Sequence, residues 1–178
     1  VDECGRVTTG TRTADDSGQA VGRVDYQFSE KLSFFGRSVV NFNKIDVPHT
    51  FDTNDLLNTT TPGFDNLVQA YTFGSTYLFN PNTINSFRLA VNRSAIHRLG
   101  ASYFQPSEVG IKAYSYLPDH TIVAVTGGFS IGSGVGNEAR FPTTTYQIGD
   151  DVSLVRGAHQ VSVGGNLAHW RSYSTANV

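Results

Sequence analysis

Residues 128–132, Gly128-Phe129-Ser130-Ile131-Gly132, fit G-x-S-x-G, the pattern in which glycines permit a strained strand-to-helix turn that holds out a nucleophilic serine. Asp150 or Asp151, and then His159 or His169, follow in the Ser, Asp, His chain order of one large hydrolase class. Read that way, the chain is a small serine ester hydrolase with Ser130 attacking and a histidine as its base. The surroundings speak against it. Gly132, Gly134 and Gly136 come after Ser130 and are poor helix formers, whereas an elbow must open a helix. The plainer reading is a glycine-rich loop at the rim of a sheet. The same glycines make a poor phosphate cradle, because neither the required lysine nor a βαβ frame accompanies them.

Metal and redox chemistry has little to build on. The five histidines, His49, His97, His120, His159 and His169, include no i,i+4 pair, so a metal site would have to be assembled across strands. Loop and rim positions are expected for them instead. Cys4 is the single cysteine, which excludes an intrachain disulfide and a cysteine-ligated cluster. No cofactor and no metal are expected. Charged residues make up 16% of the chain, below the roughly 25% of typical soluble domains. With a net charge of -2 there is no basic stripe for nucleic acid. Five charges matter by their place: Arg23, Asp25, Arg37, Arg88 and Arg93 are assigned to polar strand faces. In a large barrel they would line the lumen and pair there; in a soluble sheet they would be solvated.

The elements that must carry these groups alternate with period 2. Gly22, Val24, Tyr26 and Phe28 interleave with Arg23, Asp25 and Gln27; Leu32, Phe34, Gly36, Val40 and Phe42 then oppose Ser33, Arg37, Asn41 and Asn43. Ser29-Glu30-Lys31 joins the two as a hairpin. A third strand carries Tyr71, Phe73, Tyr77 and Phe79 on one side, and Asn80-Pro81-Asn82 ends it. A fourth sets Phe87, Leu89 and Val91 against Ser86, Arg88, Asn92 and Ser94. After a short apolar strand at 122–125, a last pair is predicted, with Tyr146, Ile148, Val152 and Leu154 opposite Val161 and Val163 across a turn at Arg156-Gly157. No stretch shows a sustained 3.6-residue apolar stripe, and no run of about 18 apolar residues offers a membrane helix. The first twenty residues read as a flexible segment, and residues 21–178 as one antiparallel β unit.

Short turns alternate with long polar connections at 44–66 and 98–120, which predicts a sheet with tight turns on one rim and large loops on the other. That asymmetry belongs to outer-membrane barrels, as do strands longer than the common globular 5–6 residues. Tyr26, Phe28, Phe34, Phe35, Tyr77 and Phe79 gather near the short-turn rim, where an interfacial aromatic girdle would sit. The fold class expected is all-β, an antiparallel up-and-down barrel or a segment of barrel wall. The competing reading is a soluble barrel or sandwich that binds a partner with its apolar side chains turned inward.

Three segments carry a resemblance. Residues 22–37, from Gly22-Arg23-Val24-Asp25-Tyr26 to Phe35-Gly36-Arg37, are similar to the "G-R-x-D-Y-x-x-S-x-K-x-x-x-F-x-R" hairpin of large TonB-dependent receptors, in particular the Oar-like set. Residues 76–88, ending Asn85-Ser86-Phe87-Arg88, resemble that family's strand–turn–strand closing on "N-E-F-R". Residues 148–166, with Asp150, Gly157, His159 and Gly164, resemble its "D-x-x-x-x-x-x-G-x-H-x-x-x-x-G-x" hairpin. The resemblance implies an outer-membrane barrel of about 22 strands that takes up an extracellular ligand and performs no chemistry on it. Its partners would be the lipid bilayer and that ligand. Neither a plug nor a TonB box is visible in the chain, and it opens with Val1, so it is expected to be a fragment of the wall. Such a piece would be soluble or aggregated outside its parent, and its open strand edges could drive oligomerisation.

Overall fold

A computed structural model describes residues 3, 5, 12–47, 62–100, 103–118, 120–128, 130–132 and 138–176. Six long strands follow the alternating segments: β1 (Asp15–Ser29), β2 (Leu32–Ile45), β3 (Gly63–Asn80), β4 (Thr83–Leu99), β7 (Ala139–Arg156) and β8 (His159–Ser172). Between β4 and β7 lie a 3₁₀ turn at Pro106–Val109 and a two-stranded ribbon, β5 (Ile122–Ala124) with β6 (Ser130–Gly132). A short β9 (Thr175–Ala176) pairs with β7. The long strands form one antiparallel sheet in the order β1-β2-β3-β4-β7-β8, each beside its sequence neighbour.

The rims have the expected asymmetry. Two-residue turns at Glu30-Lys31, Pro81-Asn82 and Gly157-Ala158 join the strands at one end, and residues 46–62 and 100–138 make the connections at the other. Neighbouring hairpins are stitched at the turn end, where the Leu78 amide donates to the Lys31 carbonyl and the Val155 amide to the Asn82 carbonyl. Gly157 has φ 61°, a left-handed backbone that glycine adopts without penalty in tight hairpins.

The register fixes the slant of the strands. A straight hydrogen-bonded row runs through Val24, Gly36, Phe73, Leu89, Ile148 and Leu167. The turn-side ends Leu32, Thr83 and His159 stand four, six and eight residues beyond that row on their own strands. Each hairpin therefore adds two residues of offset, or one per strand. With a rise of about 3.3 Å per residue and about 4.8 Å between strands, turns at one common height require a strand tilt of about 35°, within the range of membrane barrels. Strands of 14 to 18 residues at that tilt are long enough for a hydrocarbon core of about 30 Å.

The two faces differ in chemistry. Paired residues share a face, so Val24, Phe34, Phe73, Leu89, Ile148 and Leu167 stand together, as do Tyr71, Val91 and Tyr146. The rings of Phe34 and Phe73 stack at 5.8 Å, and Tyr77 meets Phe79 edge-on at 4.9 Å. Among the described residues nothing covers this face. Val24, Val163 and Leu167 are 72%, 72% and 70% exposed, and Ala139 is the only fully buried apolar side chain among the described residues. A soluble sandwich or barrel would have buried these groups in a common interior; the soluble reading fails here.

The sheet is also open. Among the described residues no strand pairs with the outer edge of β1 or of β8. β1 begins at Asp15, ahead of the expected onset near Gly22, because β2 supplies a partner that far out: Asn43 Nδ2 donates to Asp15 Oδ1 at 2.7 Å. β7 likewise starts at Ala139 and takes Pro142 into its ladder opposite Ala95. The Pro142 carbonyl accepts from the Tyr173 amide just past the end of β8, so the side on which proline lacks a donor falls in the gap between the β7–β8 pairing and the β7–β9 pairing.

Gly157→Val is expected to lower the unfolding free energy of the detergent-folded protein by about 1–3 kcal/mol, while Ala158→Gly changes it by no more than about 1 kcal/mol. Denaturant titration of the strand circular-dichroism signal measures both; equal effects would mean that the turn conformation is not what constrains this hairpin.

Candidate functional site on the polar face

Alternation places the polar partners on the other side of the sheet. Arg23 and Asp25, two apart on β1, point the same way and form a forked pair, Nε to Oδ2 at 2.8 Å and Nη2 to Oδ1 at 2.7 Å. The Arg23 guanidinium lies 4.8 Å from the centre of the Phe35 ring, and Phe35 in turn covers Gly74, where a side chain would collide with it. Arg37 pairs across with Arg23 and Thr72 on this same face.

A hollow of about 470 Å³ opens further along, lined by Thr72, Arg88, Gln147, Gly149, Asp151 and Asn166. Arg88 Nη2 stands 3.9 Å from Asp151 Oδ2 across β4 and β7. Gly164, opposite Asp151 on β8, makes room for this carboxylate; a Cβ there would run into Asp151 Oδ1 and lie 2.7 Å from the Asp150 carbonyl oxygen. Ser153 and Ser162 hydroxyls meet at 2.8 Å nearby. The site offers donors and acceptors with few apolar groups, which suits recognition of a polar surface.

The residues of the hydrolase reading are not drawn together. Ser130 begins β6, a short strand paired with Ala124, where an elbow would start a helix; residues 133–137 lie outside the described ones. Asp150 is on the apolar face and accepts from Asn85 Nδ2 at 2.5 Å, while Asp151 faces the polar side toward Arg88. His159 pairs with Arg156 at the short-turn rim, the end opposite the long connections. His169 pairs with Tyr146, four residues along β8 from Gly165, the partner of Asp150, which is about 13 Å. Neither aspartate is bonded to His159 or His169. Of the other histidines, His97 accepts from Arg140 Nε at 3.4 Å, and His49 lies outside the described residues.

The five strand charges divide. Arg23, Asp25, Arg37 and Arg88 share the polar face. Arg93 does not, correcting its assignment: it pairs with Gln69 and Thr144 in the parity of Leu89 and Val91, on the apolar side. An odd step from Arg88 dictates this. Gln147, Asp151 and Asn166 complete the hollow, and the period-2 row Gln147, Gly149, Asp151, Ser153 was the signal for the first two. Asn166 and Gly164 had no such signal, since they depend on the β7–β8 register.

Gly164→Ala is expected to push Asp151 off Arg88 and to destabilise the folded protein by about 1–3 kcal/mol, because the Asp150 carbonyl cannot retreat without breaking the ladder. Gly165→Ala, where nothing lies within 4 Å of the added carbon, serves as the control and should change stability by about 0.5 kcal/mol or less. Comparable losses in both would contradict the packing described.

Comparison with known proteins agrees with the architecture. The family model of the outer membrane beta barrel domain matches residues 4–178. No curated protein and no solved structure matches the chain. An uncovered ring-bearing face, strands slanted as a barrel requires, and a family match over nearly the whole length lead to one conclusion: the chain belongs to the outer membrane beta barrel domain family and forms barrel wall in the bacterial outer membrane.

Proposed function

We propose that this wall belongs to a TonB-dependent transporter that takes up an extracellular ligand, and that it carries out no catalysis. The observation that carries the reading is the open sheet: six slanted strands with no described strand on the outer edges of β1 and β8. In lipid, every backbone donor and acceptor must be paired, so both edges need further strands, and a large barrel supplies them. Pairing with strands of the same parent barrel satisfies them without a second copy. The hairpins at 22–37, 76–88 and 148–166 resemble those of TonB-dependent receptors, whose barrels are among the largest.

In this reading the polar face lines the lumen. Arg23 with Asp25, Arg37, and Arg88 with Asp151 would contact the plug domain or the passing ligand, and the connections at 46–62 and 100–138 would meet the ligand outside the cell. The tight turns then face the periplasm.

The intact protein, extracted in detergent, should bind the purified periplasmic domain of TonB in a pull-down and by calorimetry. A well-folded barrel that leaves this domain unbound, with and without cell-surface extracts as a source of ligand, would overturn TonB coupling while leaving barrel membership untouched.

A further inference from the structure

Arg93 is on the wrong face for a lumen charge, and it is not alone there. Thr144 on β7 pairs with Arg93 on one side and with Arg171 of β8 on the other. Two arginines thus flank one hydroxyl in a straight row, with about 10 Å between their backbones. The three ion pairs among the described residues are Arg23 with Asp25, Lys44 with Asp46 and Arg88 with Asp151, so neither Arg93 nor Arg171 is ion-paired with a described carboxylate, Asp65 being the one that lines the same hollow as Arg93. Further out on the same face, Arg140 donates to His97. A hollow of about 500 Å³ lies between these rows, lined by Asp65, Leu67, Arg93, His97, Arg140 and Pro142.

Height decides what this cluster meets. Arg93 is ten residues along β4 from Thr83 at the short-turn rim, and Arg171 is twelve along β8 from His159. At the tilt given by the register, those spans rise about 27 and 32 Å, the thickness of a bilayer's hydrocarbon core. Toward the turns the face carries Leu89, Val91, Ile148 and Leu167, with Asn85 and Asp150 bonded to each other closer to the rim; at the arginines it becomes cationic. The change falls where acyl chains give way to headgroups, and long arginine side chains reach that boundary readily.

We infer that Arg93, Thr144 and Arg171 form a binding site for the phosphate groups of an outer-leaflet glycolipid seated against the outside of the barrel wall. Guanidinium forks match phosphate oxygens two at a time, and the Thr144 hydroxyl supplies a further donor between them. The leaflet follows from the long connections facing outward, which this site shares with the proposed function; TonB coupling is not required.

The test uses the intact protein in detergent, with thermal unfolding and titration against bisphosphorylated lipid A, its dephosphorylated form and inorganic phosphate. The bisphosphorylated lipid should raise Tm, and Arg93→Gln/Arg171→Gln should weaken its binding at least about tenfold. Arg156→Gln removes a charge from the opposite rim and should leave binding unchanged. Heat-modifiability on gels verifies that each variant is folded; if the double variant is not, Arg171→Gln alone is read, with at least about a threefold loss. Equal stabilisation by the dephosphorylated lipid or by inorganic phosphate, no stabilisation at all, unchanged binding in the arginine variants, or an equal loss in Arg156→Gln would each overturn the site.

Discussion

A single sheet that keeps Phe, Tyr, Leu, Ile and Val on one side and has no second layer to cover them must find its apolar surroundings outside the protein. The burial pattern makes this constraint concrete: Val24, Val163 and Leu167 are mostly exposed, and the described residues contain almost no interior. Soluble proteins seldom leave a contiguous apolar patch beyond a few hundred Å². Hydrocarbon removes the cost of exposure, and it imposes a second demand, that no backbone donor or acceptor remain bare. Both demands act on the same six strands. One is met by the side chains; the other is met between the strands by ladders joining Asp15 of β1 to Ser172 of β8, with register shifts only beside the turns at 27–29 and 78–80, and is left to further partners at the outer edges of β1 and β8.

The uniform offset of two residues per hairpin ties these demands to a shape. Flat, unstaggered strands could not close, whereas strands offset by one residue each wind into a wall with its turns level at one rim. In the proposed barrel the polar face is enclosed and the apolar face turned outward. Arg23 on Asp25, and Arg88 beside Asp151, are held where a protected aqueous channel would run. Arg93 and Arg171 stand on the face of Leu89 and Ile148, ten and twelve residues from the short-turn rim.

Much of this could be read from residue order, for a physical reason. A strand with one face in lipid and one in water must alternate, so Val24-Asp25-Tyr26 and Phe87-Arg88-Leu89 announce both the element and its two sides. The turns were equally legible, because Asn80-Pro81-Asn82 and Arg156-Gly157 have little else to do. Strand ends were not. β1 reaches back to Asp15 and β7 to Ala139 because partner strands extend that far, and partner length is a property of the sheet. Arg93 shows where residue type misleads: its polarity suggests the polar face, and its parity with Val91 puts it on the other. The G-x-S-x-G match was legible as a string, whereas the register distributes Asp150, Asp151, His159 and His169 along the strands and does not gather them.

The most direct test of the account is the medium on each side of one strand. Nitroxide spin labels placed singly at Leu89 and Ile148, and at their neighbours Ala90 and Gln147, in the intact protein reconstituted into vesicles, report collision with oxygen from the bilayer and with a water-soluble nickel complex. Labels at Leu89 and Ile148 should collide with oxygen and be shielded from nickel, and those at Ala90 and Gln147 should show the reverse. Nickel access at Leu89 and Ile148, or no difference between adjacent positions, would contradict the claim that the ring-bearing face meets lipid.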